Sequence, residues 1–211
     1  MSTSAAVPER RHPNSTSSTR AVAPAAPRPP CYIHPKAIIS EKASITGTHP
    51  VTIGENSVIH PYARLSSAVG AVTIGKNCII ADRATVGLVD ESADHGQLRT
   101  VAVELEDSVT VESNATVEAE LVGTGSVIEV YATLRPGTVI GQPQFCKISA
   151  RCEARGTKLP DYTIIFGEGQ QRVDTTTKAR ADVRDLKLKG QLLHIETLKR
   201  LIPSNTAKWQ M

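Results

Sequence analysis

Histidine is the residue type in this chain best suited to acid–base or metal chemistry, because its ordinary pKa lies close to neutral pH. The sequence contains six histidines, at His12, His34, His49, His60, His95 and His194. His34 and His60 each precede a proline, as is typical of a turn. His34, His49 and His60 are separated by 15 and 11 residues, and no H-E-x-x-H motif occurs. The spacing therefore gives no support to a zinc site.

Other catalytic signatures are missing from the sequence. It contains no P-loop, no G-x-G-x-x-G motif and no nucleophile elbow. The four cysteines, Cys31, Cys78, Cys146 and Cys152, form no C-x-x-C pair, which favours buried, reduced thiols. We therefore predict no catalytic residue, no cofactor site and no metal site.

Acidic residues cluster in the middle of the chain. Between Arg99 and Arg135 there is no Lys or Arg, while seven acids occur, of which Glu112 and Glu129 each follow a periodic aliphatic residue. If the two carboxylates lie on one side in adjacent coils, they are either solvated and screened or face a basic partner surface that they help to recognise. We take Glu112 and Glu129 as candidate partner-binding residues. The net charge of +3 comes from residues 1–30, so the charge balance does not favour nucleic-acid binding.

The elements that must position these residues follow from a six-residue period. Aliphatic residues recur every six positions, and a small residue mostly follows four places later. The series are Ile33, Ile39 and Ile45; Ile53, Ile59 and Leu65; Ile74, Ile80 and Val86; Leu105, Val111 and Val117; then Val122, Ile128, Leu134, Ile140, Cys146 and Cys152 as the longest unbroken run; and finally Leu159 and Ile165. A period of six fits neither an amphipathic helix nor a half-buried strand. It predicts one short side of a three-sided coil of about 18 residues.

The repeat divides the chain into three parts. Residues 31–170 are predicted to form an all-β parallel β-helix of about seven coils, with a loop extruded at about 87–102. Residues 1–30 contain six prolines and few aliphatic residues, which predicts a disordered tail. A mitochondrial transit peptide and a proline-rich docking peptide are the alternatives for this tail.

Residues 171–211 are predicted to form a polar linker and a C-terminal helix. Apolar residues lie on one helical face at Leu188, Leu192, Ile195, Leu198 and Ile202, and Pro203 ends the helix. This face either packs on the prism or binds a partner, which makes Leu192 and Ile195 further candidate partner-binding residues. No stretch is long and apolar enough for a transmembrane helix, so we expect no membrane insertion.

The repeats resemble the hexapeptide-repeat family, and this resemblance implies a left-handed parallel β-helix. Many members are acyltransferases that use a histidine base between the subunits of a trimer, and others are zinc enzymes of the gamma carbonic anhydrase type. The anhydrases hold zinc with three histidines, two of them five residues apart, and no such pair occurs here. Only His95, in the predicted loop, is placed where an acyltransferase base could lie.

Several longer segments resemble the β-helix subunits of the dynactin pointed-end complex. They are VTIGENSVIHPYARL at 51–65, TIGKNCIIADRATV at 73–86, GSVIEVYATLRPGTVIG at 125–141, LPDYTIIFGEG at 159–169 and HIETLKRLIPSN at 194–205. The resemblance implies a non-catalytic adaptor subunit in the cytoplasm, on the cytoskeleton, without a cofactor. Its implied partners are dynactin subunit 5, dynactin subunit 4 and the pointed-end actin-related protein, with an indirect link to dynein and cargo. A hexapeptide-repeat enzyme stays open as the alternative.

Deleting residues 1–30 is expected to leave the melting temperature nearly unchanged, because a disordered tail contributes no buried area. Thermal unfolding of the truncated and full-length chains measures this. A marked fall in melting temperature would show that the tail packs on the folded part.

Overall fold

The computed structural model describes residues 28–88, 101–140, 145–156 and 158–209. The predictions for residues 1–27 of the tail and for residues 89–100 of the predicted loop lie outside the described residues. The last residues of the predicted tail pack on the fold, since Pro29 is buried and the backbone oxygen of Pro30 accepts the N–H of Val51 at 2.9 Å. The described strands on the two sides of that interval lie on neighbouring sides of the fold, since Val86 pairs with Val117 and Leu105 pairs with Ile74.

The described residues form three parallel sheets, with strands numbered in chain order. Sheet 1 contains β1 (Cys31–Ile33), β4 (Val51–Ile53), β7 (Val72–Ile74), β10 (Val103–Leu105), β13 (Leu121–Val122), β16 (Val139–Ile140) and β19 (Lys158–Leu159). Sheet 2 contains β2 (Ile38–Ile39), β5 (Val58–Ile59), β8 (Ile79–Ile80), β11 (Thr110–Val111), β14 (Val127–Ile128), β17 (Lys147–Ile148), β20 (Thr163–Phe166) and an antiparallel last strand, β21 (Gln170–Val173). Sheet 3 contains β3 (Ser44–Gly47), β6 (Arg64–Ser67), β9 (Thr85–Val86), β12 (Thr116–Val117), β15 (Thr133–Leu134) and β18 (Glu153–Ala154).

Successive strands belong to sheets 1, 2 and 3 in turn, so the chain winds around a three-sided prism. The described residues contain six complete coils and two sides of a seventh. The prediction of an all-β solenoid with a C-terminal helix is confirmed. Each hexad supplies one side, and each strand inside the stack pairs with the strands one coil before and after it, at the spacing of a parallel sheet.

The core is a stack of equivalent aliphatic side chains. On sheet 2, six inward residues lie above one another and are fully buried. They are Ile39, Ile59, Ile80, Val111, Ile128 and Ile148. The small residues at the next corner form a second buried column, Ala43, Ala63, Ala84, Ala115, Ala132 and Cys152. The corner accepts only small side chains because they point inward where two sides of the prism meet and the space between them is narrow.

The longest predicted run of the repeat is wrong after Ile140. The next inward residue of sheet 2 is Ile148, because it pairs with Ile128, so the step from Ile140 is eight residues. Cys146 therefore lies at the small corner position, where its backbone N–H donates to Ser126 Oγ. Cys152 lies likewise at a small position, and Ala154 takes the inward place beside Leu134. Two extra residues at this corner shifted the register of the six-residue period.

The segment after Gly167 is more regular than the predicted polar linker. It contains β21 and two helices, α1 (Thr175–Ala179) and α2 (Ala181–Leu201). Asp174 caps α1, because its Oδ1 accepts the N–H of Thr177 at 2.9 Å. The apolar period that identified the helix starts only near Leu188, so the polar first part of α2 had no periodic signal.

Helix α2 lies along sheet 2. Ile195 is fully buried and Leu198 is 8% exposed, and both pack against the outward side chains of Val58 and Ile79. Gln191 Nε2 donates to the backbone oxygen of Asn77 at 2.8 Å. Of the two alternatives for this helix face, the structure therefore shows packing on the prism. No helix among the described residues is both long enough and apolar enough to cross a bilayer.

The segment after α2 covers the open end of the first coil. Ser204 forms an antiparallel bridge with Ser40, and the N–H of Asn205 donates to the oxygen of Ile39 at 2.9 Å. After a short 3-10 turn (Thr206–Lys208), Trp209 joins the hydrophobic core with only 8% exposure. The indole thus covers aliphatic side chains that would otherwise meet water at the start of the stack.

Leu134→Ala is expected to lower the free energy of unfolding by about 2–5 kcal/mol, since the leucine is fully buried between coils. The matched control is Thr133→Ala, whose side chain points outward from the same strand and whose effect should stay below about 1 kcal/mol. Denaturant unfolding of both variants measures the difference. Equal effects would contradict the inward register.

Candidate interaction surface

The described histidines lie apart from one another, three at separate turns of the prism and one on α2. His34 Nδ1 accepts the N–H of Lys36 at 3.2 Å, and His49 Nδ1 lies 2.9 Å from the oxygen of Ser67. Burial lowers the pKa of His60, whose Nε2 is buried without a hydrogen-bond partner. His194 lies exposed on α2.

The two remaining histidines, His12 and His95, lie outside the described residues. The acyltransferase-base interpretation of His95 therefore stays a prediction. Within the described ranges, no three His, Cys, Asp or Glu side chains are grouped as they would be to hold a metal ion.

The four cysteines are free thiols. Burial raises the pKa of Cys78 to about 12 and that of Cys146 to about 11. Both thiols are therefore protonated at neutral pH, and a protonated thiol is a poor nucleophile. Cys78 Sγ donates instead to the backbone oxygen of Glu106 at 3.0 Å.

Three glutamates stabilise the corners of the prism. Glu106 Oε2 accepts both the N–H and the hydroxyl of Thr124 at 2.8 Å. Glu112 Oε2 accepts the N–H of Val130 at 3.1 Å, and Glu129 Oε2 accepts that of Ala150 at 2.9 Å. In each case the donor is a turn N–H in the next coil. We call Glu106, Glu112 and Glu129 the corner carboxylates. An ionised acceptor makes such a hydrogen bond stronger than a neutral one.

Glu112 and Glu129 lie in adjacent coils, because the preceding Val111 and Ile128 are paired. Both are half-buried, and Glu129 Oε1 also pairs with Lys147 Nζ at 2.5 Å. Their carboxylates are directed along the stack as well as toward solvent. The turn N–H groups and Lys147 offset the repulsion between the two like charges. Their role in partner binding stays a prediction.

The prediction for the helix face separates into two outcomes. Ile195 lies between α2 and the prism and is fully buried, so in this fold it does not present a surface to a partner. Leu192, at 42% exposure, lies at the margin of the contact and keeps its partner-binding role as a prediction. The most exposed apolar residues of α2 are others: Leu186, Leu193 and Leu201 are 71%, 72% and 71% exposed. Their spacing of seven and eight residues could have identified this second face.

A column of residues with left-handed backbone follows the corner between sheets 2 and 3. Tyr62, Arg83, Asn114, Tyr131 and Arg151 all have φ near 60°. For residues other than Gly and Asn this conformation costs about 1 kcal/mol or more. Cations lie over both tyrosine rings, with Lys42 Nζ 5.5 Å from the Tyr62 centroid and the Arg151 guanidinium 6.0 Å from that of Tyr131.

An open groove of about 680 Å³ lies beside this column. Its walls carry both charges, since Glu41 and Asp82 line it together with Lys42 and Arg83. Tyr62 and Pro203 contribute apolar surface to the same groove. The charges are mixed, so the groove does not select for one sign of ligand.

Curated proteins named dynactin subunit 6 are similar to this chain in sequence. The one from Nematostella vectensis is 27% identical over 138 residues, which cover 64% of this chain and 73% of the relative. The one from Xenopus tropicalis is 23% identical over 175 residues, covering 82% of this chain and 81% of the relative. No family model matches the chain. The resemblance predicted from the hexad segments is confirmed by these relatives.

Among solved structures, AntD from Bacillus cereus has the same architecture. AntD is an N-acyltransferase, solved as a mutant in complex with dTDP and coenzyme A. The TM-score is 0.55 at 20% identity, covering 76% of this chain and 90% of AntD. At this identity the likeness shows the fold alone. The solenoid is a left-handed β-helix of the hexapeptide-repeat type, as predicted.

Glu106→Ala is expected to lower the free energy of unfolding by about 1–3 kcal/mol, because the variant leaves the turn N–H and hydroxyl of Thr124 without their acceptor. Glu104→Ala is the matched control, since Glu104 is an exposed glutamate two residues earlier with no side-chain hydrogen bond in the described structure. Urea unfolding measures both. Equal stability of the two variants would refute the structural role of the corner carboxylates.

Proposed function

We propose that this chain is a non-catalytic structural subunit of a dynactin pointed-end complex. The observation that carries the proposal is its similarity to curated proteins named dynactin subunit 6, which extends over most of both chains. In such a complex it supports dynein-driven microtubule transport and cargo attachment. It acts in the cytoplasm, on the cytoskeleton, and needs no cofactor.

The partners we propose are dynactin subunit 5, as a paired β-helix, together with dynactin subunit 4 and the pointed-end actin-related protein. The shape of the chain suits a structural role, because its core is one continuous stack of buried aliphatic residues. Helix α2 covers part of sheet 2, whereas sheets 1 and 3 carry no helix among the described elements. These two sheets are therefore available as flat surfaces for neighbouring subunits.

A second candidate is a hexapeptide-repeat enzyme, an acyltransferase or a gamma-type carbonic anhydrase. The structural similarity to the N-acyltransferase AntD is the reason to consider this candidate. That similarity supports a shared fold, and a shared fold does not imply a shared function. An acyltransferase of this type needs a histidine base in a cleft between like subunits. It would therefore assemble as a symmetric homotrimer, whereas a dynactin subunit would associate with a different β-helix.

Co-expression with dynactin subunit 5 tests the proposal directly. We expect the two chains to co-elute as a one-to-one complex in size-exclusion chromatography with light scattering, and the complex to recruit dynactin subunit 4. If this chain instead forms a homotrimer that does not bind dynactin subunit 5 and transfers an acyl group from coenzyme A, the proposal is overturned in favour of the enzyme.

The same complex tests the acidic residues. Glu112→Gln with Glu129→Gln keeps an acceptor oxygen for both turn N–H groups and removes two charges. If these charges guide assembly, the double variant associates more slowly at low salt and like the wild type at high salt. The matched control is Glu104→Gln with Glu120→Gln, which removes two exposed charges away from that corner. Association rates unchanged at both salt concentrations would exclude steering by Glu112 and Glu129.

A further inference from the structure

Helix α2 has two apolar faces on opposite sides. The inner face, with Ile195 and Leu198, is buried against the prism. The outer face carries Leu186, Leu193 and Leu201, each about 70% exposed. At 3.6 residues per turn, Leu193 lies about 20° around the helix from Leu186 and Leu201 about 60° from it in the other direction, while Ile195 lies about 180° away. An apolar stripe of this kind on a well-ordered helix is typical of a contact surface.

The outer face also contains a glycine that no contact within the described chain explains. Gly190 lies within α2, between Leu186 and Leu193. A methyl group added at its Cα would meet nothing within 4 Å. Glycine disfavours a helix, and no contact within the described chain requires it at this position. A missing side chain on an exposed helix face lets the backbone of a second helix approach closely.

Charges of both signs follow one flank of this face. Going toward the C-terminus they are the acids Asp182 and Asp185, then Lys189, Glu196 and Arg200. Neither Lys189 nor Arg200 makes an ion pair in the described structure. Asp182 and Glu196 pair only with the nearby Arg180 and Lys199 at the surface. Such exposed pairs contribute little and exchange readily.

The order of these charges identifies the second helix. If a second copy of α2 lies antiparallel along the outer face, its flank runs in the opposite order. Asp182 then lies opposite Arg200 of the second copy, and Lys189 lies opposite Glu196. A two-fold axis perpendicular to both helices keeps these flanks on the same side and repeats each pair twice.

We propose that two copies of this chain associate through the outer faces of α2, in antiparallel orientation, with Gly190 and Leu193 near the two-fold axis. The apolar stripe from Leu186 to Leu201 is about 22 Å long. One helix pair of this length makes a small interface, so the dimer is expected to depend on concentration. The inference goes beyond the proposed function and does not depend on it.

Sedimentation equilibrium of the purified full chain tests the pairing. We expect a monomer–dimer equilibrium, with the dissociation constant raised at least tenfold by Leu193→Glu. Leu193 is 72% exposed, so this variant should keep its far-ultraviolet circular dichroism and melting temperature. The matched control is Val173→Glu, a similar change at an exposed apolar residue of β21, which should leave the dissociation constant unchanged.

Charge exchange tests the orientation. Asp182→Arg and Arg200→Asp should each weaken self-association, because each creates two like-charged pairs across the axis. Mixing the two single variants should restore dimers, since the mixed dimer has opposite charges in both pairs. Restoration would establish the antiparallel pairing, and its absence would overturn it.

Two further results would overturn the proposal. One is a chain that stays monomeric at every concentration. The other is a dimer that Leu193→Glu does not weaken. If the pure chain is monomeric and Leu193→Glu instead abolishes binding of dynactin subunit 5, the outer face belongs to that partner and self-pairing is wrong, while the proposed function stands.

Discussion

The structure depends on the in-register stacking of equivalent residues in successive coils. Ile59 lies against Ile39 on one side and Ile80 on the other, and all three are fully buried. A single coil has no such neighbours and cannot bury its own inward side chains, so stability accumulates only as coils are added. The same dependence makes both ends of the stack weak points. In the described chain Trp209 covers the first coil, and β21 pairs with β20 of the last coil.

Stacking also determines how the turns at the corners of the prism are stabilised. Each turn exposes backbone N–H groups that no strand can pair, and the fold satisfies several of them with side chains from the preceding coil. The corner carboxylates do so with an ionised oxygen, while Ser126 does so with a hydroxyl toward Cys146. Acidic residues that look like a binding surface in the sequence are therefore also part of the scaffold. The corner between sheets 1 and 2 has left-handed residues of mixed type: Asn56, Asn77 and Gly125 tolerate that conformation well, whereas Ser108, Phe145 and Tyr162 adopt it at a cost.

The six-residue period predicted most of the fold because the spacing of large and small residues directly encodes sides and corners. It failed after Ile140, where Cys146 and Cys152 fit either role, being both small and apolar. The start of α2 was not predictable, since its first turns are polar and its N-cap residue, Arg180, makes no side-chain cap hydrogen bond. The cap at Asp174 belongs to α1, which precedes α2. For the candidate surface, the sequence located Glu112 and Glu129 in adjacent coils but not their hydrogen bonds to turn N–H groups. Those bonds depend on a register between residues 18 or 21 positions apart.

The contact of Trp209 with the core has a consequence for the order in which the chain is made. Synthesis proceeds from the N-terminus, so the first coil leaves the ribosome before the residues that cover it. Until the segment around Asn205 and Trp209 emerges, the edge of β2 has an unpaired row of backbone groups on its outer side. A growing chain in this state is open to strand pairing with other nascent chains or to capture by chaperones. This exposure ends when Trp209 packs on the first coil. The first coil to be synthesised is then held by the segment that follows α2, the last long helix of the described chain.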